Sequence, residues 1–255
     1  MIGAMVGALL SAAVTLSLAW PARWLQAWVL EASAQHLQLA DTQGPWWSGQ
    51  TRLLLRGGAG ATDTSALPGT VSWRINPTWQ GGPGLSLRLW ADCCIAQSAE
   101  LTVTWNSGWF WSLESAQGQF DLRALSGLGT PWNTLNLSGA ADWSLHNTRG
   151  SWQPNGNPIE GHWTVQFDRV SSDISSVSPL GSYTVEWHWQ TQGKAEWILT
   201  TRSGDLKLEG EGQFVGGRMK FRGEASSSPE SATALSNLLN IIGRRRGDIT
   251  LLSIG

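Results

Sequence analysis

Charge is scarce in this chain of 255 residues: Lys, Arg, Asp and Glu together supply 14% of it, and the formal net charge is −2. Without a basic field nothing draws in a polyanion, so nucleic acid is excluded as an expected partner. Tyrosine occurs once and phenylalanine five times. The two cysteines, Cys93 and Cys94, are neighbours. Adjacent cysteines cannot staple distant strands, so no disulfide framework is expected; a vicinal bridge, free thiols and intermolecular pairing all stay open. No second Cys or His pair completes a tetrahedral set, and no metal is expected. A phosphate loop ending in Lys-Ser/Thr, an HExxH helix and a GxSxG elbow are all missing. His36, His146, His162 and His188 are isolated from one another, the last three on the polar phase of their segments. Glu209 and Glu211 share one strand face and read as sheet-edge solubility rather than as an acid pair. The expectation is a non-enzymatic chain with no cofactor and no small-molecule substrate.

Tryptophan, by contrast, is abundant, with 18 residues. Its large apolar face and single N–H donor suit half-buried strand faces and membrane interfaces. At the N-terminus no charged side chain precedes Arg23. Ile2 to Trp20 is long enough for a helix to cross ~30 Å of hydrocarbon, so residues 1–22 are expected to form a transmembrane anchor. A cleaved signal peptide is the competing reading, since Ser17-Leu18-Ala19 has a small-x-small pattern, but the run exceeds the usual apolar region and no basic stretch precedes it. Trp20, Trp24 and Trp28 recur every fourth residue; on a continuing helix they form a stripe at the level of the lipid headgroups, a membrane-interface contact.

Residues 23–43 then read as a juxtamembrane segment and 44–255 as an antiparallel β domain. Gly44-Pro45 opposes helix, and period-two alternation takes over. Leu85, Leu87 and Leu89, then Leu101, Val103 and Trp105, then Ala141, Trp143 and Leu145 each alternate with polar residues. So do Trp163, Val165 and Phe167, and Tyr183, Val185, Trp187 and Trp189. Each is a strand with one apolar face. Most strand tryptophans fall on that apolar phase, with Trp90 the exception. Lys194–Thr200, Asp205–Gly212 and Arg218–Gly223 form a meander, Asn76-Pro77 marks a loop, and Ile249–Ile254 is a closing strand. Ala234, Leu235, Leu238, Leu239 and Ile242 give one short C-terminal helix that Gly243 stops, with Arg244-Arg245-Arg246 complementing its dipole. The fold class is all-β with one N-terminal transmembrane helix, and the sheet is either a curved single layer or a sandwich.

Several passages in order resemble protein N of the bacterial type II secretion system. Gly44-Pro45-Trp46-Trp47-Ser48-Gly49 resembles the family's G-x-x-W-x-G element, placing Trp47 and Gly49 in it, and the strand ending at Trp73 follows as in the family. Ser178-Pro179-Leu180-Gly181-Ser182-Tyr183 is similar to its S-P-L-G-x-Y, through Pro179, Leu180, Gly181 and Tyr183. Gly204, Leu206, Leu208, Gly210 and Gly212 match its G-x-L-x-L-x-G-x-G, and Gly223 and Gly243 keep the family order. The resemblance implies a single-pass inner-membrane protein with its bulk in the periplasm. It also implies an accessory or scaffold role in exporting folded proteins, with other secretion components as partners and no catalytic residues. The alternative reading is a periplasmic lipid-handling protein in which the sheet forms an apolar groove.

Overall fold

The computed structural model describes residues 20–130, 132–152, 158–190, 194–215 and 218–254. Most of the expected anchor therefore lies outside the described residues. Among the described residues no helix is long and apolar enough to cross a membrane. The chain enters through Trp20 and Pro21, which pair with the turn ahead of the second strand: Trp46 N donates to Trp20 O over 3.0 Å, and Pro21 bridges Pro45. Helix α1 begins only at Trp24 and ends at Ala32. Trp20 is thus not on that helix, and the expected stripe reduces there to Trp24 and Trp28, both exposed.

Then come β1 (Leu37–Gln43), β2 (Ser48–Arg56), β3 (Thr64–Ala66), β4 (Val71–Thr78), β5 (Gly84–Ala91), β6 (Ile95–Trp105) and β7 (Trp109–Asp121). A 3-10 helix (Leu122–Leu128) and the single turn α2 (Trp132–Leu135) interrupt the meander. It resumes with β8 (Leu137–Trp152), β9 (Ile159–Ser172), β10 (Gly181–Gln190), β11 (Lys194–Gly204), β12 (Leu206–Val215) and β13 (Arg218–Ser227). Helix α3 (Ala232–Ile242) and strands β14 (Arg244–Arg246) and β15 (Ile249–Ile254) close the chain. All the strands form one antiparallel sheet in the order β1-β2-β4-β5-β6-β7-β8-β9-β10-β11-β12-β13-β15-β14, with β3 on β2. A single sheet is therefore the answer to the choice between one layer and a sandwich.

Four local expectations differ. The sheet starts at Leu37 rather than after residue 43, because Leu37 and Leu39 keep the two-residue alternation and pair with Leu55 and Leu53. Asn76 and Pro77 continue β4, where Pro77 lies one residue from the strand end and its missing N–H costs little. Arg244, Arg245 and Arg246 lie past the helix on an edge strand, where exposed like charges oppose pairing with another sheet. Glu209 and Glu211 stand on β12, an interior strand, opposite Glu224 and Arg222.

Cross-strand register puts the apolar phases of neighbouring strands on one common face. Trp73 pairs with Leu89, Leu87 with Leu101, and Val103 with Trp111. The phase slips by one residue between Leu113 and Ala116, and β8 slips in step, since Leu113 pairs with Thr148 and Ala116 with Leu145. Further on, Trp143 faces Val165, which faces Val185, which faces Leu199. Aromatic rings on this face lie over glycines of the next strand. Trp73 pairs with Gly49, Trp143 with Gly118, Trp111 with Gly150 and Trp197 with Gly212. A Cβ on Gly49 would stand 2.5 Å from Trp73 Cζ2, and one on Gly150 would stand 2.7 Å from Trp111 Cε2. Rings also stack along the sheet: Trp197 lies 4.6 Å from Phe221 with 7° between planes, and Trp163 lies 4.9 Å from Trp189. Such contacts add ~0.5–1.5 kcal/mol each beyond area burial.

The glycine pairing makes a quantitative expectation. Gly212→Ala drives a methyl group into the Trp197 ring and should cost about 1–3 kcal/mol, the usual penalty for overpacking. Gly108→Ala, whose new atom would meet only Phe110 at 3.6 Å, should be nearly neutral. Urea unfolding checks both: the midpoint should fall for the first variant alone, with the slope unchanged.

Candidate functional site

The strands run between two ends. One end carries the 3-10 helix, α2, α3 and residues 173–180, and there the apolar face is covered. A cavity of about 460 Å³ lies between these segments and the sheet. Its floor is Phe120, Val165, Phe167, Tyr183, Leu199 and Leu208, from β7 and β9 to β12. Leu122 and Leu125 of the 3-10 helix and Trp132 and Leu135 of α2 wall one side, and Leu238 and Ile242 of α3 wall the other. Two hydroxyls reach the lining, and both are already engaged. Ser172 donates to Leu135 O, and Tyr183 donates to Leu206 O over 2.9 Å. Apart from the Trp132 indole N–H, the lining side chains offer no unused hydrogen-bonding group, so the cavity suits hydrocarbon and penalises a polar guest.

Two buried clusters hold these walls. Leu180, Leu206, Ala225, Leu235, Leu238 and Leu239 pack α3 onto β12 and β13. Leu122, Ala141, Val170 and Tyr183 pack the 3-10 helix onto β8 to β10. The 3-10 helix starts at Asp121, whose carboxylate accepts from Arg123 N over 2.9 Å. The Arg123 guanidinium also donates to that carboxylate and holds it below the usual carboxylate range. Gly243 ends α3 in an extended conformation, and a Cβ there would strike Leu251 O and Thr250 Cγ2.

The motif residues fall into two groups. Pro179, Leu180, Gly181 and Tyr183 meet Gly204, Leu206 and Leu208 at the covered end. Leu180 N donates to Val170 O over 2.7 Å, Leu206 N donates to Leu180 O over 2.9 Å, and Gly181 pairs with Gly204. Gly204 has φ +121°, and Gly181 Cα lies where its Cβ would be, so only glycine fits. Gly210 and Gly223 face each other beside the Phe221 ring, next to Gly212. Trp47, Gly49 and Trp73 form the second group, on β2, β4 and the turn between β1 and β2. Trp73 is buried over Gly49, and its Nε1 donates to Trp46 O over 2.8 Å, while Trp47 is 37% exposed and its carbonyl accepts from Ile75 N. In both groups these residues pack or hydrogen-bond to the backbone.

One sequence reading changes. His162 and His188 are not isolated: they pair across β9 and β10 on the polar face, with Nδ1 atoms 3.1 Å apart, and His146 pairs with His162 from β8. Segments well separated in sequence are brought together by register. Among the described residues no group of three or more His, Cys, Asp or Glu could hold a metal. Cys93 and Cys94 are joined as a vicinal disulfide in the turn after β5. The cavity wall at residues 122–135 went unread in the sequence. Its signal was present in Asp121 as a cap ahead of Leu122, Leu125 and Leu128.

Comparison with protein families gives a match over residues 35–250 to the family described as type II secretion system (T2SS), protein N. No curated protein and no solved structure matches the chain.

Tyr183 gives a pH-dependent expectation. Burial pushes its phenol above the ordinary value of 10. The neutral form is favoured in the fold, so its contribution to stability is complete below pH 10 and is lost as pH rises beyond that value. Tyr183 is the only tyrosine, so tyrosinate absorbance reads it alone. It should ionise only with unfolding, and Tyr183→Phe should flatten the alkaline loss of stability. At neutral pH the same variant strands the Leu206 carbonyl and should cost about 1–2 kcal/mol.

Proposed function

Because the chain belongs to the type II secretion system protein N family, a component of protein export across the bacterial envelope, we propose that it is an inner-membrane-anchored accessory part of that machinery, a scaffold rather than an enzyme. The observation that carries this reading is the extent of the match. It begins ahead of β1 and ends within β15, so it takes in β1 to β14 and the helices that cover the sheet. The apolar run of residues 1–19 supplies the anchor in the inner membrane, and Trp20, Trp24 and Trp28 sit at its lipid interface. The sheet stands in the periplasm as a docking platform for other secretion components. The division into anchor, short linker and sheet follows, with the sheet beginning at β1.

The test is crosslinking in intact cells followed by detergent extraction, paired with an export assay after deletion. Other secretion components should be recovered with the protein, and export of folded substrates should fall. Recovery of the protein alone, with export at the wild-type level, would remove the scaffold role.

The cavity favours a second reading, lipid handling. Its apolar lining and volume suit one acyl chain of a membrane phospholipid. Native mass spectrometry of the detergent-purified chain should show one retained phospholipid, and Leu199→Trp, which fills the floor, should release it. An unloaded wild-type protein would end that reading.

A further inference from the structure

The two ends of the sheet differ in charge. At the covered end, Asp92, Arg123, Asp173, Asp205, Glu230 and Asp248 place a charged residue in each of six connections. At the opposite end the described connections 44–47, 79–83 and 106–108 contain no Asp, Glu, Lys or Arg. These uncharged turns, with Arg23, Lys194 and Arg218 just beyond the turn end, carry large exposed aromatics instead. Trp79 is 78% exposed, and Trp105, Trp109, Phe110 and Trp152 are each exposed by two fifths or more. Three of them are contiguous: Trp105 and Trp109 rings meet at 5.2 Å and Trp109 pairs with Trp152, while Trp105 N donates over 2.9 Å to Pro83 O in the turn that carries Trp79. Exposed apolar side chains also occur at the covered end, in Trp90, Trp132 and Ile241, but there they stand among the charges.

The chain ahead of the sheet leads to the same place. Trp20 and Ala22 bond to Trp46 and Gly44, in the turn at the uncharged end, and Trp20 is 57% exposed. The described chain therefore begins at this rim, directly after the uncharged sequence of residues 1–19. Uncharged turns bearing tryptophan fit the headgroup region of a bilayer, where the indole buries its ring and hydrates its N–H, whereas a charged turn would lose solvation.

We propose that the uncharged turn end of the sheet is itself a membrane-contacting surface, seated in the lipid headgroup region with Trp79, Trp105, Trp109 and Trp152 as its anchors. The sheet then stands on the bilayer, with its cavity and charged connections directed away from it. The proposal rests on the anchoring half of the function proposed above and is independent of the secretion half.

The test uses the full chain reconstituted in phosphatidylcholine and phosphatidylglycerol vesicles, with Cys93→Ser and Cys94→Ser as background. Ser107→Cys in the β6–β7 turn and Asp248→Cys in the β14–β15 turn each take one environment-sensitive dye. The expected result is co-flotation of both proteins, with a blue shift and loss of emission in brominated lipid at Ser107→Cys and neither change at Asp248→Cys. Flotation with the Ser107→Cys dye in water overturns the rim contact and leaves the anchor standing. Equal quenching at both positions also overturns it, because the sheet would then lie flat. Failure to float overturns the anchor and the rim contact together.

Discussion

The structure depends on a steric bargain repeated across the apolar face: an aromatic ring on one strand lies over a glycine on its neighbour. Trp73 over Gly49, Trp143 over Gly118, Trp111 over Gly150 and Trp197 over Gly212 are four instances at separate places in the sheet. The ring gains a flat partner and the glycine gains the cover that its missing side chain cannot provide. Each pair also fixes register, because a slip of one residue would turn the ring to the polar face. The matched slip at residues 113–116 and 145–148 belongs to the same constraint. Neither strand could shift alone without exposing Leu145 or Leu113.

From this follows the distribution of hydroxyls on the dry face and of charge, which is scarce throughout the chain. Apolar chains line one face, so hydroxyls that fall there need backbone partners. Tyr183 to Leu206 and Ser172 to Leu135 supply them at the covered end, whereas the buried Thr250 hydroxyl has none. The few charges go to the polar face and to one set of connections. On the polar face they pair across strands, as Arg88 with Glu100 and Arg149 with Glu160 do. Ser86 and then Arg88 hold the Glu100 carboxyl below its ordinary value. These pairs are exposed, so they specify register more than they add stability.

Much of this was legible in the sequence. Alternation such as Trp163-Thr164-Val165-Gln166-Phe167 has one physical interpretation, a strand with one dry face, and Leu235, Leu238, Leu239 and Ile242 have the helical equivalent. Long-range register was not legible, because it depends on which strand lies beside which. His162 and His188 looked separate for that reason, and the cavity needed segments 120–135, 165–183, 199–208 and 238–242 to be brought together. The edge position of Arg244–Arg246 was hidden likewise: a run of three arginines after a helix reads as dipole compensation until a strand is found beside it. What the motif residues do is visible only in the fold, where Leu180, Gly204 and Leu206 clasp β10 against β11 and β12.

The order of strands in the sheet has a consequence for how the chain is made. With the exceptions of β3 and the β14–β15 inversion, each strand lies beside the one synthesised just before it. A newly delivered strand meets a partner already in place and closes only a short loop, at small entropic cost. The sheet can therefore grow from its N-terminal edge as the polypeptide is threaded out, with little exposed apolar face waiting for distant sequence. The late elements, α3, β15 and β14, then act as the stopper: α3 packs over the apolar face, and the arginine strand ends further addition.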